Sequence, residues 1–143
     1  MIARIFIDTN VMVDLLTKRE PFYEDAKVLF SLVDMGKCTA VVAPISFSTT
    51  AYLLERKLSY EVLSELLRQF ASIVEIAAID ERTVRKSLST SSHFRDIEDA
   101  MQHYAAIQWE CDCIITRNVK DFIQSDIPVF SPKEFLKAHF NCD

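Results

Sequence analysis

Ile5-Phe6-Ile7-Asp8-Thr9-Asn10-Val11 is the stretch on which the fold turns. Residues 3–7 form a short apolar run that stops at three polar residues, the pattern of a buried strand running into a helix cap. Residues 11–16 then read as a short helix, and the same alternation repeats outward along the chain. Pro21 opens a helix over about 22–35 that stops at Gly36, with Ala26, Leu29, Phe30 and Val33 at helical spacing. Residues 39–43 predict a second strand, 44–57 and 60–70 two helices, and 73–79 a third strand. Asp80 caps a helix over about 81–88, and Ser89-Thr90-Ser91-Ser92-His93 reads as a loop. Asp96 caps a helix to about residue 110, 112–115 form a fourth strand, and 118–122 a short turn or helix. Residues 128–130 form a last strand, and Ser131-Pro132 starts a final helix. Strands separated by helices predict an α/β fold with a parallel sheet and helices on both faces. Ligand sites in such sheets lie beyond the carboxyl ends of the strands.

Composition narrows the function. The 143 residues suit one domain, taken as 1–143, and half of them are hydrophobic. Glycine occurs once, against a usual share of about 7%. That scarcity argues against a hairpin-rich barrel or sandwich and excludes the Gly-rich phosphate loops. The net charge is -5, from 16 Lys+Arg against 21 Asp+Glu, so the overall basic footprint of a nucleic-acid binder is missing. A nucleic-acid role therefore needs a local basic patch, or cations that offset the acids. Cys38, Cys111, Cys113 and Cys142 fit neither a zinc site nor a disulfide framework. They read as reduced, mostly buried thiols of a cytoplasmic protein. No apolar run approaches the ~18 residues of a membrane helix, and no signal peptide is expected.

Three polar, mostly acidic clusters fall at strand ends or helix starts: Asp8-Thr9-Asn10, Arg95-Asp96-Ile97-Glu98-Asp99, and Thr116-Arg117-Asn118 with Lys120-Asp121 behind it. On the helix from Asp96, Ile97, Met101, Tyr104, Ala105 and Ile107 or Trp109 can supply a core stripe. Asp96, Asp99 and His103 share a face, with His103 read as a surface residue, while Glu98 points elsewhere. Each acid has a plain structural reading: Asp8 as an N-cap, Asp96 with Asp99 as a cap and a first-turn acid, Thr116 or Asn118 as the cap of the next short helix. Capping does not, however, require carboxylates at Asp8, Asp99 and Asp121 together. Clustered carboxylates repel unless a cation holds them, and Mg²⁺ and Mn²⁺ prefer such oxygen ligands. Metal-assisted phosphodiester hydrolysis uses a cluster of this kind.

The opening Ile5–Val11 resembles that of the PIN-domain ribonucleases, which include the VapC-type toxins. Asp96-Ile97-Glu98-Asp99-Ala100-Met101-Gln102 resembles the family's third-acid helix, and residues 115–122 resemble its strand-four signature. The resemblance covers essentially the whole chain. It implies a three-layer α/β/α sandwich with a central, mainly parallel sheet, and Mg²⁺- or Mn²⁺-dependent cleavage of RNA. Under it, Asp8 is the first metal-binding and catalytic acid and Asp99 the third, with Asp96 and Glu98 as neighbouring alternatives. Asn118 and Asp121 match the fourth position, and Thr116 and Asn10 match polar residues that orient the acids. The family's second acid, a glutamate, is missing: Thr49 stands at the aligned position, with Ser48 as the alternative. Glu55, the nearest acid, lies roughly 240° around the helix from Thr49 and does not substitute for it. Arg95, Arg117 and Lys120 are the candidates for RNA phosphate contacts, with Lys18 and Arg19 able to add to them.

Two other readings stay open. The missing glutamate and the acidic balance suit a non-catalytic PIN-like module that binds nucleic acid or a protein partner. A phosphohydrolase of the haloacid-dehalogenase type is the third, resting only on Asp8-Thr9-Asn10. The resemblance also implies an antitoxin partner and a homo-oligomer, a dimer.

Overall fold

The computed structural model describes residues 2–89 and 92–142, so Thr90 and Ser91 of the expected loop lie outside the described residues. Five strands, β1 (Arg4–Ile7), β2 (Thr39–Val42), β3 (Glu75–Ile76), β4 (Cys113–Ile115) and β5 (Val129–Phe130), form one sheet in the order β3-β2-β1-β4-β5. Every neighbouring pair is parallel. Seven helices appear among the described residues: α1 (Thr9–Leu16), α2 (Tyr23–Asp34), α3 (Pro44–Leu54), α4 (Tyr60–Ala71), α5 (Glu81–Ser87), α6 (Ile97–Gln108) and α7 (Pro132–Phe140). A 3-10 turn covers Val119–Phe122.

Side chains alternate across a strand, and here that alternation separates two cores. Ile5 and Ile7 of β1, Ala40 and Val42 of β2, and Cys113 and Ile115 of β4 face one way. They pack under Val11 and Met12 of α1, Leu29 and Phe30 of α2, Phe70 of α4 and Phe135 of α7. Phe6, Val41 and Ile114 face the other way, under Ala105 and Ala106 of α6 and Phe122. The expected three-layer sandwich is therefore the architecture. A strand covered on both faces has no solvent side, which is why β1 reads as a continuous apolar run.

The expected turn chemistry holds at most ends. Gly36 ends α2 with φ at 76°, a left-handed conformation that costs other residues more, and the Lys37 amide N–H reaches back 2.9 Å to the Leu32 carbonyl. Asp80 accepts from the Thr83 amide, and Ser131 and Glu134 form a reciprocal capping box on α7. Strand three is shorter than predicted, because only Glu75 and Ile76 of residues 73–79 pair with β2.

Helix α6 departs most from expectation. Its buried residues are Ala100, Gln102, His103, Ala105 and Ala106, while Ile97 and Ile107 are exposed. The small alanines let α6 lie close on the sheet, and the larger apolar residues are turned outward. His103 is buried rather than on the surface: its Nε2 accepts from the Asp126 amide at 3.0 Å and its ring packs on Phe94, 4.7 Å between centroids. Trp109 is half-buried against the second core. Cys38, Cys111 and Cys113 are buried free thiols, and Cys142 is half-buried. Among the described residues no helix is long and apolar enough to cross a membrane.

Candidate metal centre

The chain enters at β1, adds β2 and β3 on one side, then crosses to place β4 and β5 on the other. The crevice between β1 and β4 is thus the point where the strand order reverses, where open α/β sheets bind ligands. Ile7 pairs with both Val42 and Ile115, so the residues that follow, Asp8, Ala43 and Thr116, leave the sheet in one row.

Asp8 holds the N-cap position of α1, but its side chain makes no capping hydrogen bond. Its backbone stays extended and its amide donates to the Ile115 carbonyl at 2.9 Å, which turns the carboxylate across the crevice. There Oδ1 accepts from Gln102 Nε2 at 2.8 Å and Oδ2 from Thr116 Oγ1 at 2.7 Å. Each oxygen keeps acceptor capacity. The group is 5% exposed. Burial pushes its carboxyl pKa up, and the hydrogen bonds from Thr116, Gln102 and the Thr9 backbone pull against that rise.

A second layer fixes these donors. Gln102 Oε1 accepts from the Thr9 amide at 3.2 Å, which sets the orientation of its carboxamide. The Thr116 hydroxyl, donating to Asp8, accepts from the Asn118 amide at 3.0 Å and from Asn10 Nδ2 at 3.5 Å. Asn10 Oδ1 accepts from the Arg117 amide at 3.3 Å. Thr9 Oγ1 and Ser46 Oγ lie 2.7 Å apart and tie α1 to α3.

Asp8, Asp99 and Asp121 line one cleft of about 340 Å³, together with Asn10, Asp96, Glu98, Thr49, Asn118 and Arg117. Asp99, in the first turn of α6, is half-buried. Burial first, then the charges of Asp8, Asp96, Asp121 and Glu98, pushes its carboxyl up to about 7. Asp96 is the α6 cap as well, accepting from the Asp99 amide at 3.0 Å. Glu98 does not point away: it is half-buried in the cleft, and burial followed by the charge of Asp8 raises its pKa. Asp121 is exposed on the 3-10 turn. Thr49 does line the cleft, so the position aligned to the missing glutamate faces the acids. Among the described residues no three His, Cys, Asp or Glu side chains stand close enough to enclose a metal ion. The donor chemistry still suits a hard divalent cation, which is commonly held by one or two carboxylates plus water.

The cations divide differently from expectation. Arg117 Nε and Nη2 donate to the buried Asp14 carboxylate at 2.8 and 3.2 Å, and its guanidinium lies 4.4 Å from the centre of the Phe22 ring. It is already paired, which makes it a brace between α1 and the end of β4. Arg19, expected only as an addition, lines the acidic cleft. Arg95 and Lys120 line an adjoining cavity instead. The parts played by Gln102, Ser46 and Asp14 are not legible in the sequence. The one signal for Gln102 is its spacing, three residues beyond Asp99 on the same helix.

The sequence matches the PIN domain family over residues 4–120. A toxin–antitoxin complex from Klebsiella pneumoniae aligns with a TM-score of 0.66 at 22% identity, covering 90% of this chain and 97% of that one. VapBC2 from Rickettsia felis, bound to a fragment of promoter DNA, aligns with a TM-score of 0.63 at 18% identity, covering 90% and 97%. VapC20 from Mycobacterium tuberculosis, a sarcin-ricin-loop-cleaving toxin, aligns with a TM-score of 0.59 at 14% identity, covering 77% and 86%. At these identities the likeness is one of fold. No curated protein matches the chain.

Proposed function

The chain belongs to the PIN-domain family, and from that premise we propose that it is a Mg²⁺- or Mn²⁺-dependent endoribonuclease and the toxin of a toxin–antitoxin pair. The observation that carries this reading is the state of Asp8. A carboxylate at an N-cap position, free of capping and held by two side chains from other elements, is oriented for something outside its own helix.

One or two of Asp8, Asp99 and Asp121 would hold the ion at a time, with water filling its other positions and Asn118 beside them. Such an ion supplies Lewis-acid polarisation of a phosphodiester and lowers the pKa of an attacking water. The chain's own residues do the rest. Gln102 and Thr116 hold both oxygens of Asp8 in place, and Asn10 holds Thr116. Burial and the neighbouring acids raise the Asp99 carboxyl to about 7 in the metal-free chain, and a bound cation would offset those charges and keep it ionised as a ligand. The fold shared with a complex described as a toxin–antitoxin assembly supports an antitoxin as partner.

RNA cleavage with Mn²⁺ by wild type and Asp8→Asn tests the proposal. Cleavage by the wild type that drops at least a hundredfold in the variant is expected. Equal cleavage by both, or none by either across varied RNAs, overturns it. A second reading, a PIN-like module that binds without cutting, is favoured by one observation: Thr49 faces the cleft where the family resemblance expects a glutamate. Calorimetric titration with Mn²⁺ separates the two, because tight binding that vanishes in Asp99→Ala counts against the non-catalytic reading.

A further inference from the structure

Beside the acidic cleft lies a second cavity of about 500 Å³, walled by the segment before α6 and by the 3-10 turn. The two share Asp96, Asp99 and Asp121 in their walls, so they adjoin. Its remaining wall is His93, Phe94, Arg95, Lys120, Ile123 and Gln124. We propose that this cavity is a subsite for one unpaired nucleotide of an RNA strand whose neighbouring phosphate lies over the acids. The nature of the strand rests on the nuclease reading above.

Four features carry the assignment. The volume lies in the range of small-ligand pockets, about 300–1,000 Å³, enough for one nucleotide but not for a duplex. Arg95 and Lys120 stand on the two opposite segments, and among the described residues neither belongs to an ion pair. That leaves two cations for phosphate oxygens at the edge of a cluster of acids, where an anionic strand most needs them. Ile123 is 82% exposed beside the half-buried Phe94, an apolar surface on which a base can lie. Phe94 cannot swing freely, because its ring is wedged against His103, Tyr104 and Phe122 at centroid distances of 4.7, 6.3 and 5.9 Å. Gln124 and His93 add hydrogen-bonding groups at the rim that can meet a base edge. A paired base would offer this pocket nothing, since its edge and faces are already occupied, so the subsite selects unpaired RNA.

The test uses the full chain in EDTA, where no cleavage occurs, with a short fluorescein-labelled single-stranded RNA followed by anisotropy. Arg95→Ala/Lys120→Ala is expected to weaken binding at least tenfold. It should also flatten the plot of log affinity against log salt by about 1.4, which is about 0.7 for each phosphate no longer neutralised. Ile123→Ser should weaken binding without changing that slope. Arg82→Ala, an exposed cation of the separate α5–α6 cleft, should change neither. A duplex of the same sequence should bind more weakly than the single strand. All these positions are exposed, and circular dichroism melts confirm that the variants fold. Wild-type affinity and salt slope in the double variant, or equal binding of duplex and single strand, overturn the subsite. The cleavage assay separates the two claims. If Asp8→Asn stops cleavage while Arg95→Ala/Lys120→Ala leaves KM unchanged, the nuclease stands and the subsite falls. If no RNA is cut but binding shows the expected sensitivities, the hydrolytic reading falls and the subsite stands.

Discussion

In the folded chain the Asp99 carboxyl is pushed up to about 7 by burial and by four neighbouring acids, whereas an unfolded Asp titrates near about 3.9. Between those values the folded state binds more protons than the unfolded one. The stability this group contributes is therefore fully present below about pH 4 and lost as pH rises through about 7. In EDTA, the melting temperature of the wild type should fall relative to that of Asp99→Asn across this window. Melts of both proteins over the pH series check it, and parallel curves would sink the assignment. Glu98, also raised by burial, adds to the trend in the same direction. At this scale the sequence is informative about which acids gather in the cleft, because each sits at a strand end or in a first helical turn. It is silent on how their charges meet. Glu98 looks averted on helical geometry alone, and only the seating of α6 on the sheet brings it into the cleft with Asp8.

At the scale of elements, the site depends on how α6 is seated. Its alanines Ala100, Ala105 and Ala106 allow close approach to the sheet, and that approach brings Gln102 to the β1–α1 junction. Gln102 bonds Asp8 with its amide nitrogen and the Thr9 backbone with its oxygen, so one fully buried side chain ties α6 to the β1–α1 junction. Gln102→Leu would leave the Asp8 oxygen and the Thr9 amide without partners inside the protein. A loss of about 1–3 kcal/mol in urea unfolding is expected. The metal-dependent activity should fall as well, since Asp8 would then be held only by Thr116. Wild-type stability and activity in this variant would show that water replaces the carboxamide without cost. Helix boundaries and caps are readable from Gly36, Asp80, Asp96 and Ser131, since their chemistry is local. The buried face of α6 is not. Its apolar periodicity favours Ile97 and Ile107, but the sheet accepts the stripe with the smaller residues and buries His103 with it. Side-chain volume against a partner surface decides that, and no local pattern records it.

For the whole molecule, the surplus of acid acquires a location. Several of the carboxylates behind the net charge of -5 converge on a single crevice, where burial and then their charges raise the pKa of Asp99 and Glu98. A cation that binds this crevice only in the folded state stabilises the fold by mass action, by about 2.7 kcal/mol at a hundred times its Kd. Mn²⁺ should accordingly raise the melting temperature of the wild type, and the rise should be largely absent in Asp8→Asn. A rise of the same size in both proteins would place the ion elsewhere. The sequence by itself determined the order of strands and helices, the parallel sheet and the identity of the acids at the strand ends. These follow from hydrophobic run length, cap residues and the scarcity of glycine, all of them local properties. Only the tertiary structure decided that Asp8 is held by Gln102 rather than capping α1, that Arg117 is paired with Asp14, and that Arg95 and Lys120 face a separate cavity. Those outcomes depend on contacts between residues some ninety or more positions apart, or on which partner reaches a charge first. Folding sets such distances through the register of β1 with β4 and the depth at which α6 settles on the sheet.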